Sequence, residues 1–193
     1  NETELVKYLL NVLTPKVALR EQLFTPGSKL AGYDFSGAEL SNMCAPQLHF
    51  QRCNLSHCSL ENNRLVRAEL EECDMRNSAF RGSQLPAAKL VDCNLAGSSL
   101  FQTSLAGAHL DGCSLRDCDL RHANLVDARL INTMLGATRF DGAIMNGCTL
   151  RLNDAELKQH FADLKASALA HKSLDAVLNS IASIDGKYQP LKD

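Results

Sequence analysis

Nine leucines, Leu90, Leu95, Leu100, Leu105, Leu110, Leu115, Leu120, Leu125 and Leu130, fall on every fifth residue without exception. No single regular element has that period. A helix returns its buried face every 3.6 residues and a strand every 2, so a strict five means that each unit sends one large residue inward and then turns a corner. Such a beat belongs to a solenoid, in which one short unit is repeated and stacked.

The beat extends well beyond the leucine run. From Leu30 to Leu150 there are 25 fifth positions, and only Ala45 is not large and apolar. Two residues before each centre lies a second restricted slot, filled by Ala68, Ala88, Ala108, Ser78, Ser98, Thr103 and seven cysteines among others. The slot selects small volume, and a free cysteine packs as a small hydrophobe. This reading absorbs Cys53, Cys58, Cys73, Cys93, Cys113, Cys118 and Cys148 as packing thiols and leaves only Cys44 outside the pattern. No CxxC pair occurs, so a zinc site is not expected. Unpaired thiols suit a reducing compartment.

Composition supports a narrow, repetitive interior. Hydrophobic residues make up 45% of the 193 residues, yet aromatics are only 5% and tryptophan is absent, so the core rests on leucine and small side chains. Formal charge is −2 and no block of like charge occurs, which marks neither a nucleic-acid nor a membrane binder. Apolar runs fall short of the roughly 18 residues of a membrane span. Opening on Asn1 rather than Met is expected of a piece of a longer protein.

The units AEL, CNL, AHL, CDL, ANL and ARL resemble the A(D/N)LXX units of pentapeptide repeat proteins. That resemblance implies a mainly β fold, a right-handed quadrilateral β-helix with four pentapeptides to a coil. Glycines two residues after the centre, such as Gly82, Gly97 and Gly112, are expected at the corners. The expected organisation is a helical N-terminal cap over 1–29, the β-helix over 30–152, and a helical C-terminal cap or linker over 153–193. Irregularity is expected between Met43 and Leu48, where Leu48 is large in the small slot and Pro46 intrudes. A distorted first coil or small bulge is predicted there.

Stacking at a period of 20 turns the exterior into columns. One column is apolar: Pro46, Val66, Pro86, Ala106 and Val126. Its prolines are expected to interrupt edge pairing. A second pair of columns places Arg76, Arg81, Arg116 and Arg121 around Phe101, a basic patch with the arginine and aromatic character of protein-binding hot spots. No catalytic, metal or cofactor residues are expected. His49 and His109 share a column but lie three coils, about 14 Å, apart, and the nucleophile, zinc-protease, dinucleotide and phosphate-loop motifs are missing.

A pentapeptide-like β-helix flanked by helices and ending in a helical segment with the tail SIDGKYQPLKD is similar to the N-terminal region of bacterial HECT-like effector ubiquitin ligases of the SopA type. That resemblance implies a substrate-recognition module that binds a host protein, in a parent secreted by a bacterium into the host cytoplasm and acting there as an E3 ubiquitin ligase. It assigns no catalytic residue to this chain. The alternatives are a stand-alone pentapeptide scaffold and a DNA mimic that engages gyrase. A mimic needs dense negative charge, whereas residues 30–152 carry 13 acidic and 11 basic side chains. The oligomeric state is left open.

Overall fold

The computed structural model describes Leu5 and residues 23–151. The helical caps expected over 1–29 and 153–193 therefore lie, apart from Leu5 and residues 23–29, outside the described residues.

Among the described residues, seven three-residue strands follow one another in sequence and in one parallel sheet: β1 (Lys29–Ala31), β2 (His49–Gln51), β3 (Glu69–Glu71), β4 (Lys89–Val91), β5 (His109–Asp111), β6 (Arg129–Ile131) and β7 (Thr149–Arg151). Each pairs with the next at an offset of 20 residues, from Leu30 against Phe50 to Leu130 against Leu150. Isolated bridges at the same offset stack the other three pentapeptides of every coil, as in Asp34 with Asn54, Glu39 with Ser59 and Cys44 with Arg64. The result is a parallel β-solenoid of four-sided coils.

Inward and outward positions alternate as the two slots require. The fifth-position side chains from Phe35 to Leu130 are buried, together with the small residues two places before them. Each fully buried leucine contributes about 1.5–3 kcal/mol of transfer free energy, and the stack is continuous from coil to coil. Aromatic rings gather at the first coil. Phe24 meets Phe35 and Phe50 edge-on at centroid distances of 5.6 and 6.0 Å, and Tyr33 stacks on Phe35.

The corners explain the Asp or Asn that precedes many centres. Asp34, Asn54, Asp74, Asn94 and Asn124 each accept, through Oδ1, the backbone N–H two residues ahead, at 2.9–3.1 Å. The short carboxylate or amide thus satisfies a donor that the ladder does not use. One residue later the chain turns with positive φ. At Leu85 the carbonyl accepts the Ala88 N–H at 3.1 Å and Ala87 has φ 55°, the arrangement of a type II turn.

Two local expectations are corrected. The Met43–Leu48 stretch holds the 20-residue register without a bulge: Cys44 bridges Arg64, and Gln47 N–H donates to the Val66 carbonyl at 2.8 Å. Met43, Ala45 and Leu48 are all buried, so two large residues in small slots fill the space that Ala45 leaves in the large slot. The prolines do not interrupt pairing either. At their position the backbone uses only its carbonyl in the ladder, and Pro46 and Pro86 accept from Gly27 and Arg67 at 2.9 and 3.0 Å.

The small slot is more than a volume constraint. Its thiols and hydroxyls donate to the carbonyl of the centre 23 residues earlier: Cys58 to Phe35, Ser78 to Leu55, Ser98 to Met75, Thr103 to Phe80 and Cys118 to Leu95. The cysteines are therefore hydrogen-bond donors to the previous coil as well as packing groups. Asn63 takes the same slot, fully buried, donating to the Leu40 carbonyl at 2.9 Å and accepting the Met43 N–H at 2.7 Å.

Candidate protein-binding surface

The stacked corners bring together three of the five residues expected in the basic patch. Phe101 lies between Arg81 and Arg121 of the coils below and above, whose guanidinium carbons sit 5.3 and 5.6 Å from the ring centroid. Phe101 is half-buried in this sandwich, and His122 meets its edge at 5.5 Å. Each exposed cation–ring contact contributes about 0.5–1 kcal/mol and holds the ring in one orientation.

Arg76 and Arg116 stand one corner earlier and do not close the patch around Phe101. The Arg76 guanidinium folds back on Asp74, with Nε to Oδ1 at 2.9 Å and Nη2 to Oδ2 at 2.6 Å. Arg121 makes the same bidentate contact with Asp119, at 2.8 and 2.7 Å, while it also covers Phe101. These hydrogen bonds hold both carboxyls below the usual aspartate range, against the opposing effect of partial burial. The expected basic patch is thus partly neutral. Among the described residues only Arg81 of the sandwich pair lacks a carboxylate within ion-pair distance.

Reading up the column gives Glu61, Arg81, Phe101, Arg121 and Asp141, an apolar ring bracketed by cations and then by acids. The sequence displays this order once a period of 20 is assumed. The Arg76–Asp74 and Arg121–Asp119 closures were not anticipated, although their signal, an acid two residues before an arginine, is visible in DMR and DLR.

The apolar column of Pro46, Val66, Pro86, Ala106 and Val126 is in register, and each member is half-buried by its neighbours. It is a tight seam rather than an open stripe. Among the larger apolar side chains, Val91 and Ile144 stand further out, at 37% and 51% exposure. Among the described residues no group of three or more His, Cys, Asp or Glu side chains could hold a metal ion, and no helix is long and apolar enough to cross a membrane.

Burial raises the thiols. Desolvation pushes Cys118 up to about 12 and Cys148 up to about 11. Cys53, buried with the Cys73 thiol of the next coil beside it, is raised further. Such thiols stay protonated and unreactive at neutral pH.

No curated protein sequence matches the chain. Among solved structures it is similar to the pentapeptide repeat protein Rfr23 of the cyanobacterium Cyanothece 51142, at 21% identity over 57% of this chain and 86% of that one, with a TM-score of 0.46. It is also similar to a pentapeptide repeat protein of the Arabidopsis thaliana thylakoid lumen, at 25% identity over 73% of this chain and 77% of that one, with a TM-score of 0.28. QnrB1, a plasmid-mediated fluoroquinolone resistance protein, matches at 20% identity over 74% of this chain and 91% of that one, with a TM-score of 0.34. The family model for pentapeptide repeats matches residues 47–82, 78–117 and 113–151, the same coils whose two inward slots and 20-residue register are described above, and the chain belongs to the pentapeptide-repeat family.

Proposed function

We propose that this pentapeptide-repeat scaffold is a protein-recognition module whose contact surface centres on Phe101. The observation that carries this reading is the Arg81–Phe101–Arg121 sandwich. A ring fixed between two cations on a rigid rod presents apolar and charged contact area with little left to order on binding, which is what favours a hot spot. The apolar seam from Pro46 to Val126 is the second candidate face.

The partner proposed is a host protein, met in the reducing cytoplasm of the host cell after secretion by a bacterium. In this proposal the module selects substrates for a parent effector that transfers ubiquitin. It rests on the resemblance of a β-helix flanked by helices, with the tail SIDGKYQPLKD, to the N-terminal region of SopA-type effectors. Free buried thiols fit that compartment.

The test is capture of a binding partner from host lysate by the chain and by the Phe101→Ala and Arg81→Ala variants. Loss of the same partner from both variants is expected. Retention of that partner by both would remove the sandwich from the binding site. For the ubiquitin part, the partner captured through Phe101 should be ubiquitinated in infected cells, and equal modification with Phe101→Ala would refute it.

A further inference from the structure

A second feature, one corner away, is not used by the Phe101 surface. We propose that the groove lined by Lys29, Gln47, His49, Arg67, Glu69, Ala87 and Lys89 binds a dianionic group of the phosphate-monoester type. The groove has a volume of about 430 Å³, within the range of small-ligand sites.

Two stacked columns form its walls. Lys29, His49, Glu69 and Lys89 stand in register on β1 to β4. Gln47, Arg67 and Ala87 occupy successive corners beside them, where each N–H donates to the carbonyl one coil on. Ala87 has no side chain beyond Cβ, which leaves the space above Arg67 open.

Charge selects the ligand. Lys29, Arg67 and Lys89 are three fixed cations around one carboxylate. Glu69 is held by Lys89 at 2.9 Å, with His49 at 3.6 Å, and its carboxyl is kept below the usual range by the Lys89 hydrogen bond. Among the described residues, Lys29 and Arg67 have no carboxylate within ion-pair distance. Among the described residues the lining therefore carries three cations against the one Glu69 carboxylate, with Glu71 outside it, 3.9 Å from His49. A phosphate monoester brings two negative charges and three oxygens, which matches a guanidinium fork, an ammonium and the Gln47 amide. A carboxylate supplies half that charge. The site lies on a different face from Phe101, so the two proposals fail independently.

The test is calorimetric titration of the full chain at low ionic strength with inorganic phosphate, and with acetate as the singly charged control. Saturable phosphate binding is expected. Arg67→Ala and Lys29→Ala should each weaken it about tenfold, the equivalent of one lost charge-assisted hydrogen bond. Arg121→Ala should leave it unchanged. Arg67→Gln, which keeps an amide donor without charge, should behave as Arg67→Ala, and unaltered circular dichroism will show that each variant is folded. A phosphoserine peptide binding more tightly than inorganic phosphate would support a protein-borne phosphate, and weaker binding a free one. Non-saturable binding, equal affinity in the Arg67 and Lys29 variants, or acetate binding as tightly as phosphate would overturn the proposal.

Discussion

The carboxylate of Asp92 occupies the space where a Cβ on Gly112, one coil on, would have to lie. The same relation joins Asn62 to Gly82, where the amide oxygen would be 2.6 Å from such a Cβ, and His122 to Gly142. Positive φ alone does not call for these glycines. Asn77, Ala87, Asp117 and Ala137 take the same corner conformation with side chains in place. A corner glycine is required where the coil before it carries a side chain folded over the next corner, and is optional where it does not.

Gly112→Ala is therefore expected to lower stability more than Gly107→Ala, which has nothing within 4 Å of its added carbon. The left-handed backbone costs each variant about 1 kcal/mol, and Gly112→Ala adds displacement of the Asp92 carboxylate. Urea melts of the two variants should separate accordingly. Removing the carboxylate with Asp92→Ala should shrink the difference, and a double-mutant cycle without coupling between positions 92 and 112 would contradict the account.

Asn63 bonds to the Leu40 carbonyl and the Met43 N–H inside the coil stack. Asn63→Ala leaves both buried groups unsatisfied and should cost about 2–4 kcal/mol in a denaturant titration. Asn63→Ser should recover part of this, because serine is a donor the slot already uses at Ser78 and Ser83. Identical losses for Ala and Ser would show that volume, not hydrogen bonding, sets the cost.

Of the eight thiols only Cys44 is exposed. In a colorimetric thiol assay the native chain should release one equivalent quickly and the other seven only on unfolding. Stability should also fall in alkali. Cys118 and Cys148 ionise at about 12 and about 11 when folded, against about 8.5 in the unfolded chain, so between those values the unfolded state has released protons that the folded state retains. Thermal melts from about pH 8.5 to about pH 11, within the window these values define, should show a progressive decline.

Acid acts in the opposite sense. Asp74, Asp119 and Glu69 are held below their ordinary values by Arg76, Arg121 and Lys89. On acidification the unfolded chain takes up protons first, so their contribution is present above the usual carboxylate range, near pH 4, and is lost as pH falls through the depressed folded values. These pairs are largely solvated and the effect is small for each. Asp119→Asn should flatten the acid limb of a stability–pH curve, and an unchanged limb would show that the Arg121 pair contributes nothing measurable.

Much of the fold was legible because one pentapeptide determines its own path. Leu90 and Ala88 point inward for the same local reason as Leu110 and Ala108, and the Asn94 side chain closes its turn on the N–H only two residues ahead. The site was legible only in part. Columns follow from the period, so the order Arg81, Phe101, Arg121 could be read from the sequence, but whether an arginine reaches across coils or folds back on its own coil, as Arg76 does on Asp74, depends on rotamers and neighbours.

The sequence by itself determined the solenoid, its two inward slots, the 20-residue columns and the role of seven cysteines as buried residues, because each of these repeats within a few residues of chain. Only the tertiary structure decided that Met43–Leu48 keeps register, that Asp92 requires Gly112, that small-slot donors bind carbonyls 23 residues away, and that Lys29 and Arg67 face one groove. Those relations cross between coils. They are set by packing and charge at separations of 20 residues or more, where no local pattern selects a partner.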